Sequence, residues 1–323
     1  MSRPDPLTPN FFVAGVPKAG TTSLYYYLDQ HPQIYMSPIK EPAYFSLELR
    51  LENFGADMEE QTRRDMPALR EYLDGPMSTK RFGGPVTEWE DYLRLYRGVR
   101  DEIAIGEASV CYLWSQTAPQ RIAERVPEAK ILVMLRDPAE RAFSHYLQAV
   151  GLGITQGTLR EYIEEDLKCR TTKFTLRHPF LAWGNYAEQV KRYRNLFPPR
   201  NMRVFLYEDY SRNASAVLHQ IFEFLSVDPA FSPDMKLRHL EPRLLRFERT
   251  RSIMTAEGRW HGLRKVVPPA IRHALRPMLL RNRSELRMEP ADRALLVEYY
   301  RDNIQATARL LDRDLSPWLL PDR

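Results

Sequence analysis

Four short apolar runs determine the predicted fold of this chain. They span residues 11–15, 103–106, 131–135 and 202–207. Near-continuous apolar runs of this length are typical of parallel strands that are buried on both faces, and the segments between them are long enough for helical crossovers. The pattern therefore predicts an α/β fold of three layers, with helices on both faces of a central parallel sheet. We expect one domain over residues 1–323.

Periodic apolar positions predict helices between and after these strands. The segment RAFSHYLQAV, which follows the third run, has a helical pattern. WEDYLRLYRG places four residues on one helical face: Trp89, Tyr92, Leu93 and Tyr96. A stripe of this kind is more typical of a core than of a cofactor site. Near the C-terminus, seven apolar residues recur at helical spacing: Leu295, Leu296, Tyr299, Tyr300, Ile304, Ala308 and Leu311.

The segment after the first strand is similar to a phosphate-binding loop. Gly15 and Gly20 keep the glycine spacing of the P-loop, but Thr21 stands where that motif has its lysine. Lys18 lies inside the loop instead. Gly20 lets a ligand approach the backbone, and the first turn of the next helix offers unpaired N–H groups and the hydroxyls of Thr21 and Thr22. The pattern predicts anion binding in a P-loop-like fold, rather than a plain turn.

An arginine follows the third strand, at the edge of the sheet where the loop is also expected. A P-loop NTPase needs an acidic residue at such a strand end to hold Mg²⁺. Here ILVMLRDP ends in Arg136, which suits an anion better than a metal. Asp137 is predicted to cap the following helix or to close a turn. An ATP-dependent kinase and a non-catalytic binder of anionic glycans are the alternative interpretations at this point.

The composition and net charge of the chain give a weak indication of its binding partners. The 323 residues are 43% hydrophobic and carry 47 Lys and Arg against 42 Asp and Glu, a formal net charge of +5. This balance favours anionic partners such as nucleotides, acidic sugars or lipid headgroups, and it is too mild to imply nucleic acid. Cys111 and Cys169 are far apart in the sequence, which predicts free thiols and no zinc site. With no apolar leader or membrane span evident, we expect a cytoplasmic protein.

Residues 242–287 are rich in arginine and include two adjacent prolines. Five apolar residues recur there at helical spacing: Val267, Ile271, Leu275, Met278 and Leu279. This segment is a candidate lid, acceptor-binding segment or helix on a membrane surface. A packed helix with a solvated arginine face explains the pattern equally well.

Several motifs together resemble the PAPS-dependent sulfotransferases, which use 3′-phosphoadenosine 5′-phosphosulfate (PAPS) as donor. PKAGTTSL is followed by HPQI, KEPAYF and LRDPAERAFSHY, then by WGNY at 183–186, VFLYEDY at 204–210 and a terminal EYYRDNI and LSPWL. The bacterial members and the heparan sulfate sulfotransferase branch are the most similar. The resemblance covers most of the chain. It implies transfer of a sulfuryl group from PAPS to a hydroxyl group, or less readily an amine, with PAP as product and without a metal.

The resemblance also implies donor contacts. The first loop is similar to the family's 5′-phosphosulfate loop, whose matching residues are Lys18, Ala19, Gly20, Thr21 and Thr22. Lys18 is implied to stabilise the leaving phosphate. Arg136 and Ser144 match the family's pair of 3′-phosphate ligands.

A second donor-binding loop is implied near the C-terminus. RNRSE occupies its position, which implies contacts from Arg281, Arg283 and Ser284. Asn282 replaces the glycine of the animal members, and the disulfide that animal Golgi members carry just upstream has no cysteines here. The match in this loop is therefore weaker than in the first.

Glu41 in IKEPAYF matches the family's catalytic glutamate, which implies that it takes the proton of the acceptor. From the pattern alone, a surface carboxylate beside Lys40 is the alternative. Glu107 follows the second strand and is a candidate for acceptor binding at the same edge of the sheet.

Three further residues lie in or near these motifs. One of them has two possible roles, and the other two are expected to have structural roles. Tyr186 in GNY is a candidate cofactor contact or a buried packing residue. His145 is expected to face away from Ser144, because adjacent helical residues point in different directions. His31 is expected to cap the C-terminus of the first helix.

The acceptor is not specified by these patterns. The family builds acceptor pockets from variable loops, here residues 45–100 and 150–180 with the arginine-rich segment. A sugar hydroxyl, a glycolipid, a peptide natural product and a carrier-bound acyl chain are the candidates, and contact with a membrane surface is compatible with any of them.

Overall fold

The computed structural model describes residues 8–235 and 287–321. Five parallel strands form a central sheet in the order β2-β5-β1-β6-β7. Their bounds are β1 (Phe11–Val13), β2 (Ile34–Met36), β5 (Ala104–Ala108), β6 (Lys130–Leu135) and β7 (Met202–Leu206). A small parallel sheet pairs the other two strands, β3 (Ile39–Lys40) and β4 (Arg81–Phe82).

Helices connect and cover the strands. Those before β6 are α1 (Thr21–Leu28), α2 (Ala56–Asp74), α3 (Trp89–Arg94), α4 (Cys111–Trp114) and α5 (Ala118–Arg125). After it come α6 (Pro138–Gly151), α7 (Leu159–Lys168), α8 (Tyr186–Arg194), α9 (Tyr207–Arg212), α10 (Ala214–Leu225) and α11 (Pro290–Leu311). Short 3₁₀ turns lie at Leu47–Leu49, Leu51–Asn53, Leu181–Gly184, Pro199–Asn201 and Ser316–Leu319.

The central strands are buried on both faces. Phe11, Phe12 and Val13 of β1 are all fully buried, as are the five consecutive residues 131–135 of β6. Because neighbouring residues of a strand point to opposite faces, the sheet must be covered on both sides. The predicted fold, a central parallel sheet flanked by helices, is therefore confirmed.

The predicted strands are found with small shifts in their ends. The first ends at Val13, two residues early, and the second continues to Ala108. The third and fourth differ from the prediction by one residue, at Lys130 and at Leu206. The sequence did not predict β2 and the small sheet, because strands of two or three residues carry too little pattern to be recognised.

The predicted helical faces are also present. In and just after α3, Tyr92 and Tyr96 are fully buried, and the helical pattern near the C-terminus forms α11 with Leu296, Tyr300 and Ile304 buried. Tyr299, predicted on the same apolar stripe, is instead 41% exposed. The C-terminal helix thus packs against the core along a narrower stripe than the sequence pattern indicated.

His31 does not cap α1, contrary to the prediction. Asp29 occupies the C-cap position, and its backbone N–H bonds to the carbonyl of Tyr25. The imidazole of His31 is buried; its Nδ1 accepts from the N–H of Gln33 at 3.0 Å and its Nε2 lies 2.9 Å from the carbonyl oxygen of Asp228. A ring that accepts at Nδ1 must carry its proton at Nε2, so neutral His31 connects two loops.

Cys111 is buried, Cys169 is partly buried, and both are free thiols. Among the helices of the described residues, none combines the length and apolar character of a transmembrane span. Nearly all of the arginine-rich segment 242–287 lies outside the described residues, as do Arg281, Arg283 and Ser284. The single-domain organisation remains a prediction.

Candidate active site

The loop between β1 and α1 ends in an uncapped helix N-terminus. Gly20 is the N-cap residue of α1, has a φ of 77° and provides no capping side chain. A β-carbon on Gly20 would lie 3.1 Å from the ring of Tyr207, in a backbone conformation that side chains rarely adopt. Glycine is thus required here. The first turn, with Thr21 buried and Thr22 half-buried, presents N–H groups to an incoming anion.

Lys18 and Arg136 meet where the loop crosses the end of β6. One Nη of Arg136 donates to the backbone carbonyl oxygen of Lys18 at 2.9 Å. Strands β1 and β6 are neighbours in the sheet, so the loop after one and the arginine after the other share its carboxyl edge. Lys18 has a φ of 74°, an uncommon conformation for a residue with a side chain. The structure therefore places the Lys18 backbone and the Arg136 guanidinium together at this edge.

Arg136 is held from three sides. Its guanidinium lies 4.6 Å from the centre of the Tyr207 ring and 3.8 Å from the carboxylate of Glu140. Behind it, the hydroxyl of fully buried Tyr186 donates to the carbonyl oxygen of Arg136 at 2.7 Å. Of the two interpretations of Tyr186, the structure shows the buried packing residue. Its hydrogen bond holds the backbone of Arg136 in place.

Helix α6 begins directly after Arg136 and is capped as predicted. The Asp137 side chain accepts from the backbone N–H groups of Ala139 and Glu140. Ser144 is half-buried and lies one helical turn after Glu140, on the same face of α6. Glu140 on this face approaches the guanidinium of Arg136.

Buried ion pairs connect this junction to the C-terminal helix. Arg293 of α11, itself buried, lies 2.9 Å from Asp137 and 3.1 Å from Glu140. From α9, Glu208 accepts the backbone N–H of Asp137 at 2.8 Å, and burial raises the pKa of this carboxyl. The start of α6 is therefore anchored by residues from two other helices.

Glu41 lies at the same edge of the sheet, beyond β5. Its backbone N–H donates to the carbonyl oxygen of Ala108 at 2.9 Å, and Ala108 pairs with Val13, the last residue of β1. One carboxylate oxygen of Glu41 lies 2.6 Å from Nζ of Lys40. The Glu41 side chain is 26% exposed and that of Lys40 is 2% exposed. Glu41 is thus a reachable carboxylate held by a buried cation, a combination the sequence did not reveal.

Glu107 is fully buried and does not reach an acceptor, contrary to its candidacy for that role. Its carboxylate accepts hydroxyl protons from Tyr92 at 2.7 Å, Tyr112 at 2.8 Å and Ser109 at 2.6 Å. Burial raises its pKa from 4.5 to about 7 against the opposing effect of these hydrogen bonds, and the charge of Glu41 raises it further. Glu107 is therefore close enough to Glu41 for the two carboxylates to influence each other.

His145 is a half-buried residue of α6. Its Nδ1 lies 3.3 Å from a guanidinium nitrogen of Arg141, and its ring centre is 5.5 Å from that of Phe180. Burial, followed by the charges of Arg141 and Lys18, lowers the pKa of His145 to about 3. The ring is therefore neutral near neutral pH. Its predicted orientation away from Ser144 remains a prediction.

Two participants at this edge were missed by the sequence analysis. Tyr207 both covers Gly20 and lies against Arg136, and its motif VFLYEDY was recognised without a role for this tyrosine. Lys40 was noted merely as a neighbour of Glu41, since burial of a lysine cannot be read from one sequence. Among the described residues, no cluster of three or more histidine, cysteine or acidic side chains is arranged to hold a metal ion.

The comparison with known families decides which class of protein carries this site. The family model described as "Sulfotransferase family" matches residues 9–233. The chain belongs to this family. The matched region includes the loop with Lys18, Glu41, and the start of α6 with Arg136.

Individual relatives and a solved structure that resemble the chain are also sulfotransferases. The sulfotransferase from Alicyclobacillus acidocaldarius has 30% sequence identity and a TM-score of 0.71, covering 96% of this chain and 98% of that one. Carbohydrate sulfotransferase 15 of Rattus norvegicus is 28% identical over 68% of this chain and 44% of its own length. A bifunctional heparan sulfate N-deacetylase/N-sulfotransferase 4 of Mus musculus is 26% identical over 96% of this chain and 31% of its own. The chain thus spans less than half the length of these two curated relatives.

Proposed function

We propose that the protein transfers a sulfuryl group from PAPS to a hydroxyl group, or less readily an amine, of a small-molecule, glycan or lipid acceptor. The observation that carries the proposal is the contact between the loop and Arg136 at the carboxyl edge of the sheet. Arg136 donates to the backbone carbonyl oxygen of Lys18 at 2.9 Å, beside the uncapped N-terminus of α1. Family membership makes sulfuryl transfer the reaction that suits this anion site.

The residues fit a donor with two separate anionic groups. PAPS carries a phosphosulfate at one end of its sugar and a phosphate on the 3′ position. Thr21, Thr22 and Lys18 offer N–H, hydroxyl and ammonium donors for the first group. Arg136, together with Ser144 of the following helix α6, would hold the second. Ala19 and Gly20 allow the loop backbone to approach the ligand, because neither has a large side chain.

When bound, PAPS supplies the sulfuryl group and the leaving phosphate. Negative charge grows on that phosphate as the reaction proceeds, and fixed donors aimed at it stabilise the transition state. Lys18 and the first N–H groups of α1 have this role. Glu41, exposed at its carboxylate and fixed by Lys40, takes the proton of the attacking hydroxyl group. No acidic pair for Mg²⁺ is needed for this chemistry.

A carbohydrate is the acceptor that the surroundings of Glu41 favour. Lys40 Nζ lies 4.7 Å from the centre of the Phe82 ring as well as 2.6 Å from the Glu41 carboxylate, so ring and base are close neighbours. Phe82 is 48% exposed, and an exposed aromatic ring offers an apolar surface to the face of a sugar. The named activity of the carbohydrate sulfotransferase relatives points to the same class. The cytoplasmic location and the acceptor or membrane role of residues 242–287 remain predictions.

The test is a transfer assay with ³⁵S-labelled PAPS and a panel of oligosaccharides, followed by mass spectrometry of the products. We expect a labelled, sulfated sugar from the wild-type protein. Replacing the base (Glu41→Gln) should lower kcat by about 10²–10⁴-fold, and Lys18→Ala should lower kcat by about 10²–10³-fold, since it removes one preorganised donor.

Two exposed residues of α8 provide matched controls. Lys191→Ala and Glu188→Gln remove the same side-chain charges from a loose surface pair whose atoms are 3.9 Å apart. Both control variants should keep wild-type activity. Normal turnover by Glu41→Gln would reject the base assignment, and label transfer with Mg·ATP but not with PAPS as donor would favour the kinase alternative.

A further inference from the structure

A buried carboxylate lies behind the segment that carries Glu41. Ser109 and Tyr112 each donate a hydroxyl proton to Glu107, at 2.6 and 2.8 Å. The same two hydroxyls also accept backbone N–H groups from the segment after Glu41. Ala43 donates to Ser109 at 3.1 Å and Phe45 donates to Tyr112 at 3.3 Å.

The charge of Glu107 determines the direction of these hydrogen bonds. An ionised carboxylate has no proton to give, whereas each hydroxyl has one proton and two lone pairs. Ser109 and Tyr112 must therefore donate to Glu107, which leaves their lone pairs for the two backbone N–H groups. A neutral amide in place of the carboxylate would present a donor to one hydroxyl and disturb this arrangement.

The segment needs such support because its backbone is strained. Glu41 and Ala43 have φ values of 69° and 55°. For residues with a β-carbon this region is unfavourable, and it persists where surrounding contacts impose it. Every second residue of the segment is held by a backbone hydrogen bond. The N–H groups of Glu41, Ala43 and Phe45 all donate to residues within the 107–112 stretch.

We propose that Glu107 is a positioning residue, which fixes the 41–45 segment, and with it the Glu41 carboxylate, by holding Ser109 and Tyr112 as hydrogen-bond acceptors. This inference rests on the proposed function for the role of Glu41 in the reaction. The arrangement of the segment itself does not depend on that role.

Titration of Glu107 provides a pH-dependent readout. Burial raises its pKa to about 7, so the network loses its ionised centre as the pH falls through neutrality. The titratable groups that face Glu107 come from α3, α4, α8 and the Glu41 segment: Tyr92, Tyr96, Cys111, Tyr112, Tyr193 and Glu41. Burial raises the pKa of the four tyrosines and the cysteine, so these stay neutral. Wild-type kcat should therefore decline below about pH 7.

The first experiment compares two tyrosine variants by amide hydrogen exchange. Tyr92 and Tyr112 donate to the same carboxylate oxygen at nearly equal distances, but Tyr112 also accepts the N–H of Phe45. Tyr112→Phe should speed exchange of the Phe45 amide by about tenfold or more, because its acceptor is lost. Tyr92→Phe, the matched control, should leave the Ala43 and Phe45 amides as protected as in the wild type.

The second experiment replaces the carboxylate itself. Glu107→Gln should speed exchange at both Ala43 and Phe45, lower kcat by about tenfold or more, leave the PAP dissociation constant within twofold, and remove the decline in kcat near pH 7. If this variant does not fold, Ser109→Ala serves instead and should expose the Ala43 amide alone. Unchanged exchange in Glu107→Gln, or in Ser109→Ala, would overturn the proposal.

The results that would refute the proposed function differ from those that would refute the role of Glu107. A wild-type protein that transfers no sulfuryl group from PAPS would refute the proposed function, whereas the exchange rates at Ala43 and Phe45 would still decide whether Glu107 holds the segment. A loss of PAP affinity equal to the loss of kcat would mean general disruption of the fold and would also contradict a positioning role.

Discussion

Two side chains assigned to the reaction, Lys18 and Glu41, lie at backbone positions with positive φ, 74° and 69°. Such conformations are uncommon for residues with a β-carbon, and they cluster at functional sites where surrounding contacts impose them. Both residues make backbone hydrogen bonds to residues at neighbouring strand ends: the carbonyl oxygen of Lys18 accepts from Arg136, and the N–H of Glu41 donates to the carbonyl oxygen of Ala108. This backbone strain supports both assignments independently of any motif.

The role of Arg136 can be separated from its structural bond to the loop. Arg136→Ala should weaken PAP binding by about 10–100-fold, because a charge-assisted contact to a phosphate typically contributes about 1.5–3 kcal/mol. Binding of adenosine 5′-phosphosulfate, which lacks the 3′-phosphate, should change little. Isothermal titration of both ligands with both proteins measures the difference. Equal losses for the two ligands would show that Arg136 acts through the Lys18 carbonyl alone.

The raised pKa of Glu107 predicts how the free energy of unfolding depends on pH. Its pKa is about 7 in the folded protein and 4.5 without burial, so between these values the folded state holds a proton that the unfolded state releases. The free energy of unfolding of the wild type should therefore fall, relative to Glu107→Gln, as the pH rises from about 4.5 to 7, by about 3 kcal/mol. Urea unfolding of both proteins at several pH values tests this. The raised pKa would be contradicted if the free energy of unfolding of the wild type, relative to that of Glu107→Gln, stayed constant or rose with pH.

At the residue scale, the sequence revealed what depends on neighbours in the chain. The capping role of Asp137 and the anion loop around Lys18 follow from local patterns, and the first is confirmed. The burial of Lys40 and Glu107 depends on residues far away in the sequence, such as Phe82 and Tyr92, and no single-sequence pattern predicts it. The interpretation of Glu107 as an acceptor contact was wrong for that reason.

At the scale of elements, the beginning of α6 is the point where the site and the C-terminal helix meet. Arg293 of α11 pairs with Asp137 and Glu140, and its side chain is 3% exposed. A carboxylate buried without a partner costs far more than a surface pair contributes. The position of Arg136 and Ser144 therefore depends on a helix that comes last in the described chain.

Removal of this buried pair should be costly. Arg293→Ala should lower the free energy of unfolding by about 3–5 kcal/mol, because it removes the cation beside the buried carboxylate of Asp137. The control Arg301→Ala removes another arginine of α11, whose pair with Glu298 is largely exposed, and should cost about 0–1 kcal/mol. Urea unfolding followed by circular dichroism compares the two. Similar values for both variants would mean that the buried pair contributes no special stability.

Elements with a strong apolar pattern were predictable, and very short ones were not. Buried runs identify β1, β5, β6 and β7 to within two residues. The strands β3 and β4 have two residues each, and their pairing is set by tertiary contacts rather than by propensity. This missed pair is what brings Glu41 to the edge of the sheet and places Phe82 beside it.

At the scale of the whole molecule, the order of the strands explains where the site lies. Strand β1 is flanked by β5 and β6, so the chain leaves the sheet in different directions on the two sides of β1. Ligands of open α/β sheets bind at the carboxyl ends of the strands near such a point. The loop after β1, Glu41 beside the end of β5, and Arg136 after β6 all lie there. The topology thus places these three residues at the edge where folds of this class bind ligands.

The most direct test of the central claim, that the α1 N-terminus with Lys18 and Arg136 forms a PAPS site, is isothermal titration of the wild-type protein with PAP and with Mg·ATP. We predict one PAP site per chain, independent of Mg²⁺ and at least about tenfold tighter than Mg·ATP, a difference of about 1.4 kcal/mol or more. Binding of Mg·ATP without measurable binding of PAP would contradict the account.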